Sequence, residues 1–264
     1  MCRFTAYSGK KNYFLDEILI NPPNSLLNQS LHPKESRHHI NADGFGVSWF
    51  NDKHSQIGAY KSFRPAWNDP NFYNIVHMIE SNAFLAHIRA ATKGDVSYHN
   101  SHPFSYKNWS FVHNGDIDHF ASIKKDIINM LDESLYLHIK GSSDSEHLFM
   151  LIMQYHYIES LSMPASIKKA FETLITLQKK VNPESTALIN IAMIDGNDLY
   201  ATKFTNGIID PNSLYYCHKT KEQGLFISSE PLQFDDDNWV SVGNQQLIHF
   251  KPRTNKLTMT KIHI

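Results

Sequence analysis

Short apolar runs dominate both ends of the chain, and helical spacing dominates its middle. CRFTAYS (2–8) reads as a short strand. Residues 21–43 are rich in Asn, Pro, Ser and His and read as a loop with at most a short helix. GFGVSWF (44–50) and QIGAYKSF (56–63) are β-rich and flank NDKHS, a hairpin pattern. In NFYNIVHMIES (71–81), Phe72, Ile75, Val76 and Ile79 fall on one helical face. AFLAHIRAA (83–91) reads as a strand with His87 and Arg89 on one face and Ala86 and Ile88 on the other. WSFVHNG (109–115) reads as a strand running into a turn. Phe120, Ile123, Ile127 and Leu131 then mark a helix. SDSEHLFMLIMQYHYIE (143–159) opens with Ser143 and Glu146 at capping-box spacing. ASIKKAFETLITLQKK (165–180) repeats Ile167, Phe171, Leu174 and Ile175 helically. After Pro183 strands return: TALINIAMI (186–194) and DLYATKF (198–204) around a DGN turn, then SLYYCH, GLFISS, WVSVG and QLIHF. Strands, helices, then strands again predict two sheets in a layered α+β domain. No repeat or linker divides the chain, so one domain over 1–264 is expected.

Composition narrows the function class. The 264 residues are 41% hydrophobic and 19% charged, enough apolar surface for a sizeable core. A net charge of −1 offers no field to recruit nucleic acid or an anionic membrane, so neither partner is expected. Two cysteines, Cys2 and Cys217, cannot form a disulfide framework and suit a reducing compartment. Residues 1–20 carry Arg3, Lys10, Lys11, Asp16 and Glu17, which interrupts any secretory core, and no apolar run approaches the roughly 18 residues of a spanning helix. A soluble cytoplasmic protein is expected. Sixteen histidines raise the question of a metal, but there is no HExxH and no Cys/His cluster at ligand spacing; neither metal nor cofactor is expected.

Several stretches could carry chemistry, and each has a plain structural explanation beside it. Cys2 directly follows the initiator methionine. With Met1 removed, one residue would hold both a thiol nucleophile and an α-amine base; with Met1 attached, Cys2 is a small residue at a strand start. HNGD (113–116) contains Asn-Gly, a turn signal, yet the Asn114 amide and the Gly115 N–H could also receive a developing oxyanion. Arg89 in AHIRAATKG is either a structural arginine or a fork for a carboxylate. Asp144 in SSDSE is either a helix-start carboxylate or a receptor for an ammonium group. NADGFG (41–46) and NSHPF (100–104) read as turns whose backbone is restricted.

As a set these parts describe hydrolysis of a γ-glutamyl amide: nucleophile, oxyanion site, carboxylate clamp and ammonium acceptor. Cys2, DGFG, HIRAATKG, NSHPF, HNG and SDSE occur in the order and rough spacing of the class II glutamine amidotransferases, which are N-terminal-nucleophile hydrolases. The chain resembles their stand-alone branch, which includes ergothioneine-pathway γ-glutamyl hydrolases and glutathione-degrading amidohydrolases. The motifs cover residues 2–149; ISSEPL (227–232) with Trp239 resembles the second half of that branch more weakly. Phe45 stands where the family commonly has Trp. The resemblance implies a four-layer αββα sandwich, with Cys2 as nucleophile and its own amine as base. Asn114 and Gly115 would form the oxyanion hole. Arg89 would bind the α-carboxylate near Thr92, with His113 in the same substrate-binding set, and Asp144 would hold the α-ammonium. The substrate would be glutamine or a γ-glutamyl amide, with no cofactor. Whether ammonia passes to a separate acceptor enzyme is left open. So is the oligomeric state. A non-catalytic γ-glutamyl-binding protein that retains Met1 is the alternative.

Overall fold

The seam of the molecule is strand β1 (Arg3–Phe14), which is buried on both faces over residues 3–9. Phe4 and Ala6 point to one side and Tyr7 to the other, so β1 lies inside a stack of layers. In the computed structural model, the described residues are 2–35, 40–51, 54–90, 96–209, 211–233 and 238–264.

Next to β1 come α1 (Leu15–Leu19) and α2 (Leu26–Leu31), then β2 (Phe45–Asn51), β3 (His54–Ser62), α3 (Pro70–Met78) and β4 (Glu80–Ile88). The expected hairpin of β2 and β3 is antiparallel, with Phe45 opposite Ser62. Helix α3 starts where it does because Asp69 Oδ1 accepts the N–H groups of Asn71 and Phe72 at 3.1 and 3.2 Å, with Pro70 in the first turn. Such a cap contributes about 1 kcal/mol. Strands β5 (Phe104–Tyr106) and β6 (Trp109–Ile117) precede α4 (Phe120–Met130), α5 (Glu133–Tyr136), α6 (Asp144–Met153) and α7 (Met163–Val181). The chain closes with β7 (Ala187–Ile194), β8 (Leu199–Lys203), β9 (Tyr215–Lys219), β10 (Gly224–Ser228), β11 (Val240–Ser241), β12 (Gln246–Lys251) and β13 (Lys256–Lys261).

Two antiparallel sheets result. The first runs β11-β9-β10-β1-β4-β2-β3 and the second β13-β12-β8-β7-β6-β5. One core lies between them, built from Phe4, Leu85, Val112, Ile227, Ile248 and Phe250. A second separates the first sheet from α1–α3, with Tyr7, Val47, Phe72 and Phe84. A third, the largest, joins the second sheet to α4–α7 through Phe111, Phe149, Phe171 and Ile191. The order is helix, sheet, sheet, helix, the four-layer αββα sandwich. Among the described residues no helix is long and apolar enough to cross a membrane.

Three local expectations need correction. Asn114-Gly115 is not a turn. Both residues lie inside β6, opposite Asn190 and Ile189 of β7. Arg89 falls one residue beyond the end of β4, although the expected split of faces holds for its neighbours. Ala86 and Ile88 join the outer core, while His87 reaches across to the second sheet. Only half of the capping box forms at α6. Ser143 Oγ accepts from the Glu146 N–H at 3.3 Å, but the Glu146 carboxylate turns instead to the N–H groups of Lys140 and Gly141 at 3.0 and 2.7 Å.

Candidate active site

Register brings Cys2 to its surroundings. Arg3 pairs with Ile88, so Cys2 sits opposite Arg89, where β4 has just ended. Its Sγ takes the Ala90 N–H at 3.4 Å and lies 3.5 Å from the Ala90 carbonyl. Arg89 is fixed through its backbone: its N–H donates to the Gly44 carbonyl at 2.8 Å, and its carbonyl accepts from Asp43 at 3.1 Å. The DGFG turn therefore holds the arginine. Gly44 adopts φ +108°, which favours glycine.

The opposite wall comes from the second sheet. His113 Nε2 donates to the Leu188 carbonyl at 3.1 Å, and its Nδ1 lies 2.9 Å from Ser145 Oγ, whose hydroxyl also reaches Asp144 Oδ1 at 3.2 Å. The His113–Ser145 contact ties β6 to the first turn of α6. Asp144 opens this helix, its Oδ1 accepting the Ser145 N–H at 2.7 Å. A Cβ at Gly115 would lie 1.8 Å from the Leu188 carbonyl oxygen, so the strands can approach this closely only with glycine there. The Ile189 N–H donates to Phe204, away from β6. Gly115 and Ile189 thus form a non-hydrogen-bonded pair, and the Gly115 N–H faces away from β7. Asn114 points the other way, into the space between the sheets, where its side-chain Nδ2 is buried without a hydrogen-bond partner among the described residues.

Cys2, Arg89, His102, His113, Gly115 and Asp144 line one small cavity of about 40 Å³. Asn114 is not among the residues that line it. Thr92 lies outside the described residues. Phe45 is not at the cavity. It meets Phe72 edge-on at 4.8 Å and Tyr60 at a tilt at 5.9 Å in the outer core, so the departure at this position falls in that core.

Burial pushes the Cys2 thiol up, and the Asp144 carboxylate adds to this; the Ala90 N–H and the Arg89 charge pull the other way. The net rise means that a thiol here needs a base to become a nucleophile near neutral pH. Near neutral pH neither His87 nor His102 is a cation. Burial holds His87 down to about 3, and burial with the adjacent positive groups holds His102 well below the usual histidine range.

Two parts of the site were not among the residues singled out in the sequence. Arg3 is fully buried and forms an ion pair with Glu230 at 3.1 Å, while its Nη1 donates to the Cys2 carbonyl at 3.1 Å. Glu230 also accepts the backbone N–H groups of Lys34 and Glu35 at 3.1 and 3.0 Å. It belongs to ISSEPL, so that weaker motif was the available clue. The second part is Asn212, whose Nδ2 donates to Asn114 Oδ1 at 2.8 Å. A lone asparagine in a loop gave no clue.

The family model for class II glutamine amidotransferases matches residues 24–216, which begins after Cys2. Probable glutamine amidotransferase DUG3 of Saccharomyces cerevisiae is 27% identical, covering 96% of this chain and 83% of that protein. The gamma-glutamyl-hercynylcysteine sulfoxide hydrolase of Mycolicibacterium smegmatis is 26% identical over 94% of this chain and 95% of its own. Among solved structures, a glutamine aminotransferase class-II domain protein from Silicibacter pomeroyi matches with TM-score 0.74 and 25% identity, over 99% of this chain and 98% of that one. The glutamine PRPP amidotransferase of B. subtilis shares the fold over 50% of its length, with TM-score 0.67 and 14% identity. Fold, motif order and matched span agree, and the chain belongs to the class II glutamine amidotransferases.

Proposed function

We propose that this protein hydrolyses the γ-amide of glutamine or of a γ-glutamyl compound through a thioester on Cys2. One observation carries the reading: Cys2, Arg89 and Asp144, from three distant segments, line the same cavity. The two charged groups match the two charges of an amino-acid head, and the thiol shares their cavity.

With Met1 removed, the Cys2 α-amine has an ordinary pKa of about 7.7–8.0 and takes the thiol proton. Sulfur attacks the γ-carbonyl carbon, and the electron pair moves to oxygen. The Asn114 Nδ2 and the Gly115 N–H receive that oxyanion; losing one such donor raises a barrier by about 2.7–4 kcal/mol. Collapse expels the amine, which leaves with the proton held by the α-ammonium. Water then adds to the thioester, the amine again acting as base, and glutamate departs. Arg89, aided by Thr92, and Asp144 position the head without entering the chemistry. His113 serves by fixing the first turn of α6, and so Asp144. The product amine or ammonia goes to solvent or to an acceptor enzyme, within a reducing cytoplasm.

The relatives support this substrate class, since one is named as a γ-glutamyl hydrolase. The test is intact mass before and after a glutamine-mimicking diazoketone, followed by glutamate release from glutamine and from a panel of γ-glutamyl amides. Loss of Met1, one adduct on Cys2 and no turnover in Cys2→Ala are expected. Full-length mass with no adduct and no glutamate release would sink the reading in favour of a γ-glutamyl-binding protein.

A further inference from the structure

An asparagine serves as an oxyanion donor only if its nitrogen, and not its oxygen, faces the substrate. The two ends of a carboxamide have nearly the same shape, so something must set the flip. In this molecule the deciding contact is not ambiguous. Asn212 Nδ2 lies 2.8 Å from Asn114 Oδ1 and 3.4 Å from the Asn114 backbone carbonyl oxygen. A backbone carbonyl can only accept. Turning the Asn212 amide around would set its oxygen against that carbonyl, so Asn212 must present its nitrogen. Asn114 must then present its oxygen to Asn212, and its Nδ2 turns away to the side on which no protein acceptor is found among the described residues. Asn212 is itself held: Asn190 Nδ2 donates to the Asn212 carbonyl at 2.6 Å, and Asn190 is the cross-strand partner of Asn114. All three side chains are buried, so water does not compete for these bonds.

We infer that Asn212, anchored by Asn190, is the positioning residue that fixes the Asn114 carboxamide with its N–H₂ toward the reacting carbonyl. The inference rests on the γ-glutamyl hydrolase reading for its catalytic consequence, but not for the orientation itself. It assigns the loop that leads into β9 of the first sheet control over a donor on β6 of the second. Asn212 touches no substrate and acts only through Asn114.

The discriminating variant is Asn212→Asp. An ionised carboxylate there accepts, so the Asn114 amide is drawn round and its oxygen is turned to the oxyanion. In glutamine hydrolysis at high pH, kcat is expected to fall about 100-fold, the scale of one lost oxyanion donor, with KM within about twofold. Affinity for glutamate γ-semialdehyde, which forms a tetrahedral adduct with the thiol, falls by the same factor, while affinity for glutamate is unchanged. The deficit narrows as pH falls, because the protonated carboxyl can again donate to Asn114 Oδ1. A kcat within about threefold of wild type at high pH overturns the assignment, as does equal weakening of glutamate and aldehyde. Neutron diffraction of the wild-type protein reads the flip without turnover. Asn114 oxygen toward the cavity refutes the inference outright. Nitrogen toward the cavity, in a protein that releases no glutamate, upholds the orientation and removes the hydrolase reading instead.

Discussion

The stacked histidines behind the cavity should make the fold unusually sensitive to mild acid. His87 is fully buried. Its Nε2 donates to the His113 carbonyl at 3.2 Å, its Nδ1 has no hydrogen-bond partner among the described residues, and its ring lies 4.1 Å from that of His102. Burial lowers the His87 pKa to about 3, with the neighbouring His113 and Arg89 charges adding to the effect and the His113 carbonyl opposing it. In the unfolded chain the same ring titrates near about 6.5. Between those values the unfolded state binds a proton that the folded state refuses, so stability falls as pH falls. At pH 5 the unfolded group lies about 1.5 units above ambient pH, and at about 1.36 kcal/mol per unit His87 alone removes roughly 2 kcal/mol relative to pH 7.5. Urea unfolding of wild type and His87→Gln at both pH values isolates this contribution. Glutamine keeps a donor for the His113 carbonyl but does not titrate. The loss between pH 7.5 and 5 should shrink by roughly 2 kcal/mol in the variant. An identical loss in both proteins, or a His87 ring resonance that titrates near neutral pH in the folded protein, would refute the reasoning.

Arg89→Lys should raise KM for glutamine about tenfold or more with kcat little changed, because an ammonium group cannot reproduce the paired donors of a guanidinium; steady-state kinetics with unaltered KM would make Arg89 structural. Gly115→Ala must push a methyl group against a carbonyl oxygen 1.8 Å away, so β6 and β7 part locally. A loss of about 1–3 kcal/mol in stability and about 100-fold in kcat is expected by urea unfolding and glutamate release, and a variant equal to wild type in both would show that the strands have room to give.

Much of the fold was legible because burial here follows simple rules. Helices α4 and α7 carry one apolar stripe each, α6 is buried all round, and the DGN turn between β7 and β8 reads directly from its residues. The failures have physical causes. Asn-Gly at 114–115 has turn chemistry, yet the glycine is required by a close approach between two strands, and tertiary contact overrides local preference. Strand β13 escaped notice because KLTMTK is a half-exposed edge with little apolar signal. Glu146 left its box because two nearer loop N–H groups needed an acceptor. The candidate site shows a sharper division. Cys2, Arg89, Asn114, Gly115 and Asp144 could be singled out because their motifs occur in a recognisable order. Asn212 and Asn190 could not, since an asparagine in a loop or within a strand carries no signal until burial is known, and Glu230 was marked only by the weaker ISSEPL stretch.

That division reflects what the proposed nucleophile, Cys2, needs. A terminal residue is ordinarily the most mobile part of a chain, and a nucleophile that wanders forfeits the advantage of orientation. Here the residue after Cys2 begins a central strand, flanked by β4 and β10. Arg3 is buried as one half of an ion pair, with a second donor on the Cys2 carbonyl. A buried charge of this kind adds little net stability, but leaving either partner alone costs about 3–5 kcal/mol, so the paired arrangement is strongly preferred over any in which the strand slips or frays. Glu230 is in turn held by the backbone that follows α2. The arrangement extends from Cys2 through the first sheet to the outer helices, while Asn212 ties Asn114 of the second sheet back to the first. Both supports cross between elements that are distant in sequence. A local motif can therefore indicate which side chains meet at the cavity, and only the folded layers can hold them there in a fixed orientation.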